Sequence, residues 1–220
     1  AHPLHRQDGD IPPIGQAEVS RETPRRLSTL SNVDEPYPLS TQIILRLGGT
    51  SATIAGIGRY GDWLTSEATA AGGIGPKEAD RLDNRHLADS LAVAECWYPL
   101  QPSSIADLGS GAGLPGIPLA ILYPNTTVTL VDRSGARCRL LKRAARVLEL
   151  PNVGVIQADV GELEGTFDVV VARGLAAPDR LLPALRRLVA PGRYGAVLGP
   201  RLAKVAIPGC STRAVGAGIL

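Results

Sequence analysis

The sequence predicts an α/β fold, a parallel sheet with flanking helices. Three observations carry this. From residue 102 onward, short β-prone runs alternate with stretches of helical length, the pattern of strand–helix–strand units. A glycine-rich turn stands between the first such run and the first such helix, where open α/β sheets bend the chain sharply. The chain is 220 residues long, 44% hydrophobic and 20% charged, which suits one globular domain with a small appendage.

Taken in order, residues 1–42 read as an irregular extension, because Pro3, Pro12, Pro13, Pro24, Pro36 and Pro38 interrupt any helix. Residues 43–101 read as a helical segment ahead of the main domain. Gly48, Gly49, Gly56, Gly58 and Gly61 weaken its first part, so a helix is placed only over residues 60–70. Pro76 suits a first helical turn ahead of 77–82. Leu87, Leu91, Val93 and Ala94 give a packing face to a helix over 86–97. In residues 102–205, strands are predicted at 104–108, 127–131, 153–157, 167–172 and 194–198. Helices are predicted between them at 117–122, 135–148 and 178–188. Residues 206–220 read as an irregular tail of small residues with Pro208, Gly209, Gly216 and Gly218.

Composition excludes several classes of function. No run of about 18 or more apolar residues could span a membrane, and no basic start with an apolar core marks a secretory signal. Cys96, Cys138 and Cys210 are odd in number and far apart, which fits a reduced, cytoplasmic protein without a disulfide framework. Two of the three histidines, His2 and His5, fall in the N-terminal extension, so no metal centre is expected. Charge is polarised: residues 1–130 hold 9 basic and 14 acidic side chains, residues 131–220 hold 14 and 7. A basic half suits a polyanionic partner, although uneven arginine usage on a solvated surface gives the same count.

The sharpest feature is Asp107-Leu108-Gly109-Ser110-Gly111-Ala112-Gly113-Leu114-Pro115-Gly116. Its placement between strand and helix puts it at the carboxyl edge of the sheet, where open α/β folds bind ligands. Asp132 ends the next predicted strand, where a carboxylate can accept hydrogen bonds from both hydroxyls of a ribose. A purely structural turn is the competing reading. Dinucleotide binding is opposed by register, because counting from Gly109 the third fingerprint glycine falls on Leu114. The order acid-x-Gly-x-Gly-x-Gly resembles instead that of S-adenosylmethionine (SAM)-dependent methyltransferases.

A narrower resemblance rests on three segments. Residues 107–118 read DLGSGAGLPGIP, Arg85-His86-Leu87-Ala88-Asp89-Ser90 stands upstream, and Phe167-Asp168-Val169-Val170-Val171-Ala172-Arg173 stands downstream. Together they are similar to the ribosomal RNA small-subunit methyltransferase G family, also called glucose-inhibited division protein B. The resemblance implies a Rossmann-like class I SAM-dependent methyltransferase fold, SAM as cofactor, and methyl transfer to N7 of a guanine in 16S ribosomal RNA. It implies SAM contacts at Gly109 and Leu114, at Val160-Gly161, and at Arg173, which is also the candidate catalytic residue; Asp132 matches the ribose position. Asp107, Gly111 and Gly113 complete the expected cofactor site. His86 and Asp89 match a helical motif over that site, with a structural histidine as the competing reading.

Arg139, Arg143 and Arg146 recur at helical spacing opposite Leu140, Leu141, Ala144 and Leu148, and with Lys142, Arg186 and Arg187 they form a candidate RNA-facing surface. An exposed amphipathic helix explains the same spacing. The expected partner is 16S ribosomal RNA or the small ribosomal subunit, approached by a monomer. The family commonly carries a lysine where Leu198 stands, and it continues into a further strand pair. That pair is not visible in the last residues here, so the fold is expected to lack it. A small-molecule methyltransferase and a catalytically weak or inactive SAM-binding module are the alternatives.

Overall fold

The computed structural model describes residues 38–73, 75 and 82–198. Helices α1 (Leu39–Arg46) and α2 (Ser51–Trp63) come first, followed by a π-wound turn, Leu64–Ala68. A second π-wound segment, Leu82–Leu87, leads into α3 (Ala88–Ala92) and a 3₁₀ turn, Val93–Cys96. The sheet then alternates with helices: β1 (Ser104–Leu108), α4 (Gly116–Leu122), β2 (Thr127–Asp132), α5 (Gly135–Val147), β3 (Val153–Gln157), β4 (Phe167–Arg173), α6 (Pro178–Leu188) and β5 (Val189–Leu198).

The five strands are all parallel in the order β3-β2-β1-β4-β5. The chain winds outward from β1 through β2 to β3, then returns to lay β4 on the other side of β1. The order therefore reverses between β1 and β4, and a crevice opens beyond their carboxyl ends.

Side-chain alternation along the central strands divides the core into two layers. Ile105, Val169 and Val171 join one apolar cluster with Ile43, Tyr60 and Trp97 of the N-terminal helices, Ile117 of α4 and Leu141 of α5. Ala106, Leu108, Val170 and Ala172 join the other with Leu181, Leu185 and Leu188 of α6.

Local signals start two of the helices. Thr50 caps α2 by accepting the Thr53 N–H, while the Thr53 hydroxyl accepts the Thr50 N–H in return. Ser134 caps α5 through the Arg137 N–H.

Several boundaries differ from the sequence expectation. Helix α1 begins at Leu39, inside the stretch read as irregular, and α2 begins at Ser51 rather than 60. The glycines that argued against α2 serve its packing: a β-carbon on Gly56 would sit 2.8 Å from Ile121 Cγ2, so the glycine lets α2 approach α4 closely. The expected helix over 86–97 is wound three ways in succession, π, α and 3₁₀. Strand β5 starts at Val189, not 194, because Val189 pairs with Phe167 ahead of a register shift on β4. Of the helix expected over 77–82 only Leu82 is described, as the first residue of the π-wound segment, and the proline-rich stretch 1–37 and the tail expected to lack a strand pair lie outside the described residues. Among the described residues, no helix is long and apolar enough to cross a membrane.

Candidate functional site

The turn after β1 is built from the strand outward. Gly109 and Ser110 both donate their N–H groups to the Val131 carbonyl, at 2.8 and 3.0 Å. The Ser110 hydroxyl donates to the Asp107 carbonyl at 2.9 Å and accepts the Val131 N–H at 3.1 Å. It thereby satisfies the strand groups that are left where β1 and β2 part. Gly109, Gly111 and Gly113 take φ values of +71°, +58° and +102°, which side-chain-bearing residues rarely adopt. Tyr60 pins the far side of the turn by donating to the Ala112 carbonyl at 3.0 Å. Burial, with Asp107 nearby, holds that phenol well above its usual range, so it stays a donor.

Asp107 lies beneath the turn with 0% of its surface exposed. Its Oδ2 accepts the Gly116 N–H at 3.0 Å, at the first turn of α4. Its Oδ1 has no hydrogen-bond partner among the described residues. Burial pushes the carboxyl up to about 7, against the pull of the Gly116 amide and Arg173. Asp107 therefore holds the turn from within and does not face the crevice.

Asp132 ends β2 and is 3% exposed. Its Oδ2 accepts the Gly111 N–H at 3.0 Å and its Oδ1 accepts the Ser134 N–H at 2.9 Å. Arg137 Nη1 stands 3.7 Å from Oδ2. A carboxylate has about four acceptor directions, so two remain for a ligand's hydroxyls. A β-carbon on Gly111 would meet only the Gly109 carbonyl, at 3.9 Å, so the turn is open at that point. Gly109, by contrast, is covered by Leu175, whose Cδ1 would stand 2.7 Å from such a carbon although Leu175 is itself 39% exposed.

The other expected residues fall into three groups. Leu114 is partly buried against the main core, and its N–H bonds the Ser110 carbonyl. Val160 and Gly161 follow β3, in a loop that starts beside Asp132 through the Ala158 N–H. Arg187 donates to the Val160 carbonyl at 2.7 Å and also to that of Leu163, so this arginine ties down the loop instead of standing free on a surface. Arg173 closes β4 at the crevice, and its Nη2 lies 2.7 Å from His86 Nδ1.

Arg139, Arg143 and Arg146 are not part of this crevice. They lie on the exposed face of α5, opposite buried Cys138, Leu141 and Ala144, and Arg143 is ion-paired with Glu67. Asp168, from the motif that ends in Arg173, sits at the opposite edge of the sheet. There it accepts the Ser103 N–H at 2.7 Å and pairs with Arg193. Among the described residues, no three of His, Cys, Asp and Glu come together to hold a metal ion. Sequence reasoning did not assign Tyr60, Ser110 or Leu175 to the site. Their partners lie 21 to 66 residues away or are main-chain atoms, and spacing carries no signal of either.

The model of the family GidB, rRNA small subunit methyltransferase G, matches residues 53–199, from α2 to the end of β5. The chain belongs to the rRNA small subunit methyltransferase G family. Proteins named for that activity include one from Halorhodospira halophila, 41% identical over 57% of this chain and 60% of the relative. Another, from Nocardioides sp., is 41% identical over 67% and 58%. A third, from Frankia casuarinae, is 32% identical over 81% and 66%. The chain thus spans 58–66% of the length of these relatives. A solved structure described as a putative S-adenosyl-L-methionine-dependent methyltransferase from Methanococcus maripaludis aligns over 56% of this chain and 61% of that one. Its identity is 18% and its TM-score 0.46. The methyltransferase G match contains the glycine turn, Asp132, the Val160-Gly161 loop and Arg173.

Proposed function

We propose that this chain is a SAM-dependent methyltransferase that modifies N7 of a guanine in 16S ribosomal RNA, and that it works in the cytoplasm. The reading is carried by one arrangement: a glycine turn clamped from below by Asp107 and tied through Gly111 to Asp132 at the carboxyl edge of the sheet. The site suits a nucleoside cofactor. Gly111 is open, and Asp132 keeps acceptor capacity beside it. The N–H groups of Gly109 and Ser110 go to Val131, that of Gly111 to Asp132, those of Gly113 and Leu114 to Ser110 and that of Gly116 to Asp107, so few remain to cradle a pyrophosphate.

Bound SAM supplies an electrophilic methyl group on a sulfonium. Asp132 would take the ribose hydroxyls, the Gly109–Gly113 backbone and Val160-Gly161 would border the nucleoside, and Arg173 would place a held positive charge at the crevice mouth. Guanine N7 already carries a lone pair, so no general base is needed. Holding the two reactants in line can supply about 7–11 kcal/mol of a barrier. The guanine N7 must stay unblocked, so an arginine fork on O6 and N7 is excluded in the reactive complex. The base is read on its other edges or by stacking after leaving its neighbours.

Calorimetric titration with SAM, S-adenosylhomocysteine and NAD tests the cofactor, and borohydride–aniline cleavage of small-subunit RNA after reaction maps methylation at N7. Asp132→Ala is expected to weaken S-adenosylhomocysteine binding by about 1.5–3 kcal/mol. Asp132→Asn, which keeps the shape but can accept only one of the Gly111 and Ser134 N–H groups, should not restore the affinity. Binding of NAD and neither SAM compound would sink the reading.

A further inference from the structure

Arg173 stands at the point where the strand order reverses, at the end of β4. A guanidinium there is useful only if its plane is held, since a half-buried arginine on an open edge has several rotamers of similar energy. The structure supplies the holding groups from one place. The π-wound segment Leu82–Leu87 and helix α3 present His86 and Ser90 one helical turn apart. His86 Nδ1 lies 2.7 Å from Arg173 Nη2, and Ser90 Oγ lies 3.4 Å from Nη1. The His86 carbonyl stands 3.5 Å from the same Nη1. Ser90 Oγ in turn donates to that carbonyl at 2.5 Å, which leaves its lone pairs facing Arg173.

The chemistry of each atom is determined by its neighbour. A guanidinium has donors and no acceptor, so Nδ1 of His86 must offer a lone pair and the ring proton must sit on Nε2. Both terminal nitrogens of the fork are engaged, and both contacts come from residues anchored in the core: Leu87, Ala88 and Leu91 around them are buried. Among the described residues, the exposed arginines of α5 have no such set of partners: Arg137 stands 3.7 Å from Asp132 and Arg143 pairs with Glu67.

We infer that His86 and Ser90 are positioning residues that lock the Arg173 guanidinium in the orientation needed for methyl transfer, His86 acting as an unprotonated acceptor and not as an acid or base. This rests on the methyltransferase reading of the site. It gives the segment Leu82–Leu87 and α3 a functional task that packing alone does not require.

The test uses the full chain with His86→Ala, His86→Asn, Ser90→Ala, Arg173→Ala and the His86→Ala/Arg173→Ala pair. S-adenosylhomocysteine affinity, melting temperature, kcat and KM on small-subunit RNA are measured for each. Asparagine places an amide oxygen near the position of Nδ1. The expected result is a tenfold or greater loss of kcat in His86→Ala, most of it restored in His86→Asn, and a smaller loss in Ser90→Ala. The double variant should be no worse than Arg173→Ala alone, because the two residues act as one unit. Wild-type turnover in both His86→Ala and Ser90→Ala overturns the inference. So does a double variant whose loss is the product of the two single losses. If His86→Ala does not fold, His86→Asn and Ser90→Ala decide: equal damage from both, tracking melting temperature, means a structural role only and overturns the inference. A wild-type chain that binds no S-adenosylhomocysteine overturns the methyltransferase reading itself, which is a different failure.

Discussion

Asp107 couples the turn to pH. In the folded chain its carboxyl titrates at about 7, and its ordinary value is 3.8. The folded state therefore keeps a proton that the unfolded chain releases between those limits. The stability this group contributes is complete below pH 3.8, drains away as pH rises to about 7, and is level above that. For a shift of this size the change is on the order of 4 kcal/mol. Urea melts across that range should show it in the wild type and not in Asp107→Asn; a wild-type curve parallel to the variant's would mean that the carboxyl stays ionised. Gly116 meets a different constraint at the same place. A β-carbon there would stand 2.6 Å from Asp107 Oδ2 and collide with Leu130 Cδ2. Gly116→Ala should lower stability by about 1–3 kcal/mol, read as a drop in melting temperature. It should also weaken S-adenosylhomocysteine binding, because the clamp on the turn opens.

Helix α5 divides cleanly into two faces. Cys138, Leu141 and Ala144 are buried against the sheet, while Arg139, Lys142, Arg143 and Arg146 are exposed. The Arg143–Glu67 pair joins this helix to the π-wound turn Leu64–Ala68, and its hydrogen bond pulls the Glu67 carboxyl below its usual range. The pair is solvent-exposed and so adds little to stability. If the basic face holds RNA phosphates, Arg139→Ala and Arg146→Ala should each weaken RNA binding. Each should also reduce the slope of log affinity against log salt by about 0.7–0.9. Melting temperature and S-adenosylhomocysteine affinity should not change. Filter binding at several salt concentrations measures the first pair of effects. An unchanged slope in both variants would leave α5 as a solvated amphipathic helix.

Across the whole molecule, the charge polarity suits the two proposed ligands, RNA and SAM, to different surfaces. Residues 131–220 carry 14 basic and 7 acidic side chains, while the crevice is bordered by the Asp132 carboxylate, with Asp107 buried beneath the turn. RNA binding should fall steeply between about 50 and 200 mM salt, whereas binding of S-adenosylhomocysteine, anchored by hydrogen bonds at the turn, should barely respond. Parallel calorimetry and RNA titrations in the same buffers compare them directly. Equal salt sensitivity of the two ligands would contradict a basic RNA-facing surface distinct from the cofactor crevice.

Strands β1 and β3 and helix α6 have the boundaries that the sequence predicts, because apolar runs and the proline at the start of α6 are local signals. The carboxyl-edge turn and Asp132 were legible for the same reason: a glycine-rich strand–helix junction and an acid after the next strand are short-range patterns. Helix α1 and the first half of α2 were not legible. Their stability comes from burial of Ile43, Ile44, Ile57 and Tyr60 on the sheet layer, which outweighs the weak propensity of a glycine-rich stretch. Leu175 above Gly109, Tyr60 beneath Ala112, and His86 and Ser90 on Arg173 were equally hidden. Each contact joins residues 52 to 87 positions apart, and only the winding of the sheet brings them together. Local pattern thus determined where the glycine turn lies. Tertiary packing decided which side chains hold it, because contact across the crevice depends on strand order and helix approach rather than on spacing along the chain.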